Sequence, residues 1–305
     1  MEHKIEHFKP DFFVPGAAKS GTTTLHDLLN THHDISMSKV KEPVYWNNKL
    51  FSQFKLFEVS KYANLFEKNR RIKGESTTSY MYYDSFISNI KANFEYCPKF
   101  IFVLRNPVDR YISHVNWLKG LGLEKKDINQ VIIDDDWANF SEYDDYPKQY
   151  YQFGLYNKWI TRFIKNFGKQ NIKIITFEQL ISDKLKTLNS CYEFLGVEKV
   201  DNLKFIRSNK SVKIVFPLIY HFLRKSTQGK TKCTKIVKYI LPKKIREKIK
   251  SLMKYSLQNW ITVESKNNKI TFENRKILSK VYLDDVKLLR ETFKYDFSEW
   301  EDFKL

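Results

Sequence analysis

Residues Asp11 to Asn30 constrain the fold more than any other stretch, because they read as strand, tight loop and helix in immediate succession. Asp11-Phe12-Phe13-Val14-Pro15 is a short apolar run closed by Pro15-Gly16, the punctuation of a strand entering a turn. From Thr22 onward, Leu25, Leu28 and Leu29 fall on one face of a helix. Between them lies Gly16-Ala17-Ala18-Lys19-Ser20-Gly21-Thr22-Thr23. Small residues in such a loop let successive backbone N–H groups converge on an anion at the helix N-terminus, where the dipole also favours negative charge.

Further apolar runs extend this unit into a sheet. Lys99 to Leu104 contains Phe100, Ile101, Phe102, Val103 and Leu104, a continuous run of the kind a parallel sheet buries on both faces. Ile172 to Phe177 is a third strand, followed by a helical pattern through Leu180, Leu185, Leu188 and Leu195. Helices are expected over Ser85–Phe94, Val108–Leu118, Lys148–Phe167 and Arg275–Phe293. The alternation predicts an α/β fold of three layers, P-loop-like, with a mostly parallel central sheet flanked by helices. A single domain over 1–305 is expected, with an acidic aromatic insertion around 121–147 and a basic helical insertion around 210–265.

The loop has the frame of the triphosphate motif G-x-x-x-x-G-K-[ST], with Thr22 in the lysine position. In kinases and ATPases that lysine reaches the β/γ-phosphates and the next residue holds Mg²⁺. Here the lysine of the loop is Lys19, two residues ahead of Gly21, where it would meet a shorter phosphate chain. An ordinary tight turn is the plainer alternative. A second segment weighs against it: Arg105-Asn106-Pro107 leaves the strand Lys99–Leu104, Pro107 is suited to opening a helix, and Ser113 lies along that helix. Arginine offers a bidentate fork and serine a hydroxyl for one anion, although Arg105 alone reads equally as an ion-pair partner. Two phosphate-binding segments on one sheet fit a nucleotide with phosphates at separate ribose positions, and 3′-phosphoadenosine 5′-phosphosulfate (PAPS) fits.

At this point the sequence resembles the PAPS-dependent sulfotransferases, in the branch of heparan sulfate sulfotransferases and bacterial sulfotransferases. Lys19-Ser20-Gly21-Thr22-Thr23 is similar to their 5′-phosphosulfate loop, with Thr24 following it, and Leu104-Arg105-Asn106-Pro107 through Ser113 to their 3′-phosphate motif. Lys41-Glu42-Pro43-Val44-Tyr45-Trp46 resembles the catalytic glutamate segment, and Gly74-Glu75-Ser76-Thr77-Thr78-Ser79-Tyr80 a downstream substrate-side loop. Tyr150-Tyr151-Gln152-Phe153-Gly154-Leu155-Tyr156 and the tail Asp296-Phe297-Ser298-Glu299-Trp300 extend the similarity across most of the chain. Some members have a lysine beside the glutamate of the loop at Glu75, where this chain has Ser76. The late nucleotide loop, closed by a disulfide in animal glycan-modifying members, corresponds to Arg207-Ser208-Asn209-Lys210-Ser211 without a cysteine pair. Asn209 and Lys210 become nucleotide-binding candidates on that basis.

The resemblance implies sulfuryl transfer from PAPS to a hydroxyl or amine of a carbohydrate or glycolipid, with Glu42 as general base and no metal. An ammonium at Lys19 suits charge growing on the leaving phosphate oxygen. On the residues alone, Glu42 reads as a surface carboxylate paired with a lysine, and Glu75 as a structural carboxylate. Tyr45 and Trp46 suit either a sugar-stacking wall or the core. His26, His32, His33 and His114 are read as non-catalytic.

Charge and composition set the outer limits. The formal net charge is +18, and between Lys210 and Lys254 fourteen Lys or Arg residues face Glu247 alone. That stretch suits a membrane surface or an acidic polymer, and equally a solvated helical face. Cys97, Cys191 and Cys233 have no disulfide or zinc spacing, and no secretion signal or membrane-spanning run is apparent, so a cytoplasmic protein, peripheral at most, is expected. The alternatives are an ATP-dependent P-loop phosphotransferase and a basic nucleic-acid-binding protein. No recognisable nucleic-acid motif supports the second.

Overall fold

The computed structural model describes residues 8–47, 59–135, 137, 148–203, 212–214, 262–264 and 269–304. Five strands, β1 (Phe12–Gly16), β2 (Ile35–Met37), β3 (Ile72–Ser76), β4 (Lys99–Leu104) and β5 (Ile172–Thr176), form a sheet of order β2-β3-β1-β4-β5. Every neighbouring pair is parallel, so the three-layer α/β expectation holds. Alternate residues of β1 serve opposite layers, as the strand period requires. Phe12 and Val14 join a buried cluster with Leu25, Leu28 and Leu29 of helix α1 (Thr22–Leu29). Phe13 faces an aromatic layer, with its ring centroid 5.3 Å from Phe86 and 6.1 Å from Phe100.

The strands β2 and β3 were hidden in the sequence. Gly74, Glu75 and Ser76, expected in a loop, are buried strand residues. A Cβ at Gly74 would collide with the Phe12 ring and Met37 Sδ, so a glycine here lets β3 nest between its neighbours.

The remaining helices are α2 (Val59–Ala63), α3 (Asp84–Asn93), α4 (Pro107–Gly120), α5 (Ile128–Ile133), α6 (Tyr156–Phe167), α7 (Phe177–Ser182), α8 (Lys184–Leu195) and α9 (Phe272–Phe293). Two differ from expectation. The helix expected from Lys148 starts at Tyr156, behind a 3-10 turn at Gln152–Gly154. The Tyr282 hydroxyl of α9 donates to Tyr151 O at 3.1 Å, and Asp285 of α9 accepts from Asn157 N and Lys158 N at 2.9 and 3.1 Å, which caps α6 where it begins. The pattern after β5 breaks at Asp183, whose side chain accepts from Lys186 N and starts α8 afresh.

The chain divides into two compact units. The first comprises residues 1–114, 132–208 and 271–305 and contains the parallel sheet. The second comprises 115–131 and 209–270, with the antiparallel pair β6 (Val212–Ile214) and β7 (Thr262–Glu264). No helix of the described residues is long and apolar enough to cross a membrane.

Candidate functional site

In a parallel α/β sheet, ligands bind beyond the carboxyl ends of the strands, where the connections leave in opposite directions. Here β1 connects outward to β2 while β4 connects to β5 on the other side, so the division falls at β1 and β4. The loop after β1 and the segment after β4 both carry residues singled out in the sequence.

The loop from Ala17 to Gly21 is held from beneath. Ala17 N donates to Val103 O at 2.8 Å, and Ala18 N to the Tyr82 hydroxyl at 3.2 Å. Lys19 and Gly21 both adopt left-handed backbone, at φ 68° and 88°. A Cβ at Gly21 would lie 2.5 Å from the Phe177 ring, so glycine satisfies both the conformation and the close approach. Leu25 N is the first helical amide to bond back, to Gly21 O at 3.2 Å. The amides of Thr22, Thr23 and Thr24 therefore form the open donor end of α1. Thr22 is buried, and Thr23 and Thr24 are half-buried. Ser20 is fully buried, and its hydroxyl makes no hydrogen bond of ordinary geometry, though it lies close enough to the Tyr156 phenol to influence it.

Arg105 directly follows β4. Its guanidinium lies 4.9 Å from the centre of the Phe177 ring, the same ring that packs on Gly21. Tyr156 donates to Arg105 O at 2.8 Å. Behind Arg105, Asn106 N donates to Glu178 and the Asn106 side chain donates to Asp302, at 3.0 and 2.7 Å. Trp300 Nε1 also donates to Glu178, at 3.1 Å, so the C-terminal tail anchors the segment. Ser113 lies half-buried further along α4.

Charge is unbalanced here. Burial pushes the Lys19 ammonium down to about 8, with Arg105, Lys41 and Arg110 adding repulsion and Glu42 opposing them. Arg110 is itself fully buried, donating to Tyr150 O and lying 3.3 Å from His114 Nδ1. Among the described residues no carboxylate forms an ion pair with it. Lys19 and three further cations gather here, with Glu42 among them and Glu178 acting on Arg105 from behind, and their excess suits a polyanionic ligand.

Glu42 is exposed, its side chain 41% accessible, and lies in left-handed backbone at φ 59°. Glu42 N donates to Ser76 O at 2.9 Å; Oε1 accepts from Lys41 Nζ at 2.7 Å and from Thr78 Oγ1 at 3.0 Å. Both side-chain bonds fall on Oε1.

Glu75 is 0% exposed. It accepts from Tyr62 and, at 2.7 Å, from Thr77 Oγ1. Burial pushes its carboxyl up to about 7 although the Thr77, Tyr62 and Tyr80 hydroxyls favour the anion. Tyr45 and Trp46 are buried too: the Tyr45 ring stacks on Tyr62 at 3.9 Å, and Trp46 Nε1 donates to the Tyr62 hydroxyl at 3.0 Å. Asn209 and Lys210 lie outside the described residues, as does the basic stretch 210–254 apart from Val212–Ile214.

Two of the described histidines make structural contacts. His26 is buried with Nδ1 2.9 Å from Ser76 Oγ, and burial holds it down to about 4. His32 lies 3.0 Å from Glu198 O through Nε2 and accepts from Asp34 N through Nδ1. The sequence reading gave no individual role to Phe177, Tyr156 and Arg110, and took Tyr82 for a cleft-wall or core aromatic rather than a support of the loop. Phe177 and Arg110 carried a signal, since one closes the third apolar run, where the structure ends the strand a residue earlier at Thr176, and the other is one turn into the helix after Arg105.

A family profile described as "Sulfotransferase domain" matches residues 9–292. Carbohydrate sulfotransferase 15 of Rattus norvegicus is 23% identical over 254 residues, covering 63% of this chain and 45% of the relative. Heparan sulfate glucosamine 3-O-sulfotransferase 3B1 of Homo sapiens is 24% identical over 212 residues, covering 66% and 50%. The chain thus spans about half the length of these curated relatives. A crystal structure of a sulfotransferase from Alicyclobacillus acidocaldarius has the same fold, with a TM-score of 0.66 at 20% identity over 96% of this chain and 99% of that one.

Proposed function

The chain belongs to the sulfotransferase domain family, and from that premise we propose that it transfers the sulfuryl group of PAPS to a hydroxyl or amine of a carbohydrate or glycolipid acceptor. The observation that carries the donor assignment is the cation cluster around Lys19, drawn from the segments that follow β1, β2 and β4. Bringing Lys19, Lys41, Arg105 and Arg110 together costs free energy that a nucleotide with two separate anionic groups recovers. The α1 amides and Lys19 to Thr24 would hold the 5′-phosphosulfate, and Arg105 with Ser113 the 3′-phosphate. Asn209 and Lys210 are proposed to complete the nucleotide contacts.

PAPS supplies an activated sulfuryl group on a phosphate leaving group. Glu42 takes the acceptor proton as the acceptor atom bonds to sulfur. Oε2 is the oxygen for that proton, since Oε1 is held by Lys41 and Thr78. The sulfur–oxygen bond to the 5′-phosphate breaks with its electron pair on the phosphate oxygen, and the Lys19 ammonium meets that charge. Family membership also weighs against the ATP-dependent phosphotransferase alternative. The relatives whose names specify carbohydrate or heparan sulfate support a glycan acceptor, and the basic stretch 210–254 fits an acidic one.

A Glu42→Gln variant tests the reading. It should bind the desulfated product PAP within about twofold of the parent while losing at least about a hundredfold in PAP released from PAPS. Retained turnover would move the base elsewhere.

A further inference from the structure

Glu42 and Val44 both sit in left-handed backbone, at φ 59° and 57°. For a β-branched valine this is a genuine outlier, and such strain persists only where surrounding contacts over-determine it. Those contacts share an end point. Trp46 Nε1 donates to the Tyr62 hydroxyl, which donates to Glu75. Val44 N donates to Thr77 Oγ1 at 3.4 Å, and that hydroxyl donates to Glu75. Trp46 N donates to the Tyr80 hydroxyl at 2.9 Å, and that hydroxyl lies close enough to Glu75 to favour its anion. Two chains of hydrogen bonds thus run from residues 44–46 to one buried carboxyl group, with the Tyr80 hydroxyl close by.

We propose that Glu75 is a positioning residue, which in its ionised form holds the segment 42–47 so that the Glu42 carboxylate is presented to the acceptor. The proposal rests on Glu42 being the base. The chains that begin at Val44 N and Trp46 Nε1 cannot reverse at their source, because an amide and an indole N–H only donate. A carboxylate terminates both; a carboxylic acid brings its own proton and has to displace a donor. The groups facing Glu75 are Tyr62 from α2, Tyr80 and Thr77 from the turn after β3, and Glu42 from the loop itself. The first three favour the anion and Glu42 opposes it, while burial sets the balance close to neutral pH. Loop order, and with it turnover, therefore falls as pH drops below about 7.

Glu75→Gln mimics the protonated form at every pH, and Tyr62→Phe removes one donor and moves the Glu75 titration upward. Hydrogen exchange of residues 42–47, corrected for intrinsic pH dependence, needs no acceptor. At pH 8 the parent loop should be protected, whereas the parent at pH 6 and Glu75→Gln at both pH values should exchange at least about tenfold faster, with residues 17–25 unchanged. PAP release from PAPS, with water and with desulfated heparan sulfate as acceptor probes, should lose its acid limb in Glu75→Gln and show that limb at higher pH in Tyr62→Phe. PAP affinity should stay within about twofold in both. Loop exchange and pH profiles that match the parent in both variants would overturn the proposal, as would a loss of PAP affinity as large as the loss of turnover. Full turnover in Glu42→Gln would instead overturn the reading on which it rests.

Discussion

Lys19 and Glu75 are both buried ionisable groups, yet burial acts on them in opposite directions. The ammonium is pushed down to about 8 and the carboxyl up to about 7, each toward its neutral form. An anion bound at the loop should restore the Lys19 charge. PAP binding at pH 8 should therefore take up protons, read by calorimetry in buffers of different ionisation enthalpy, and the uptake should shrink at pH 6.5, where Lys19 is already charged. Uptake equal at both pH values would place Lys19 away from the nucleotide. For Glu75 the folded value lies above the ordinary 4.5, so the folded state holds its proton longer than the unfolded chain does. Its contribution is fully present below pH 4.5 and is lost as pH rises through 7, by up to about 3 kcal/mol. Denaturation across pH 4.5 to 8 should show the parent losing stability relative to Glu75→Gln by that order. The charge that orders the Glu42 loop thus costs fold stability, a trade common at functional positions. A flat difference between the two proteins would contradict the burial of that charge.

At the scale of elements, the legible parts of the sequence were those where one periodicity dominated. β1, β4 and β5 are continuous apolar runs, and α1 carries its leucines on one face, so the donor-loop unit was readable from spacing alone. β3 was not, because Gly74-Glu75-Ser76 reads as loop chemistry until Phe12 and Met37 are seen packed against the glycine. The start of α6 was obscured for a similar reason: Tyr282 and Asp285, which define it, arrive more than a hundred residues later. The C-terminal tail was recognisable as a signature, but its role appears only in three dimensions. Arg275 donates to both Asp302 oxygens, at 2.7 and 2.6 Å, and Asp302 in turn accepts from Asn106 at the mouth of α4. Asp302→Ala should weaken PAP binding by about 1 kcal/mol, roughly fivefold, by loosening Arg105 and the first turn of α4. Titration with AMP, which lacks the 3′-phosphate, should be nearly unchanged. Equal losses for the two nucleotides would indicate a general loss of folding.

Across the whole molecule, the proposed site draws on Lys19, Glu42, Glu75, Arg105, Phe177 and Trp300, residues spread over most of the chain, on segments that follow or flank the strands of a parallel sheet. That placement is a consequence of topology: all five strands point the same way, so their following loops share an end. The proposed donor half of the site was legible in the sequence because each of its two segments is local. The loop around Glu42 was harder, since Tyr62, Tyr80 and Glu75 meet only through the fold. The net charge of +18 favours an acidic partner at long range, while the site itself is specified by where two phosphates would lie. Calorimetric titration with PAP, AMP and ATP tests that claim most directly. PAP should bind at least about thirtyfold more tightly than AMP, the value of a second set of charge-assisted hydrogen bonds, with ATP gaining nothing from Mg²⁺; PAP binding no more tightly than AMP would contradict the two-phosphate site.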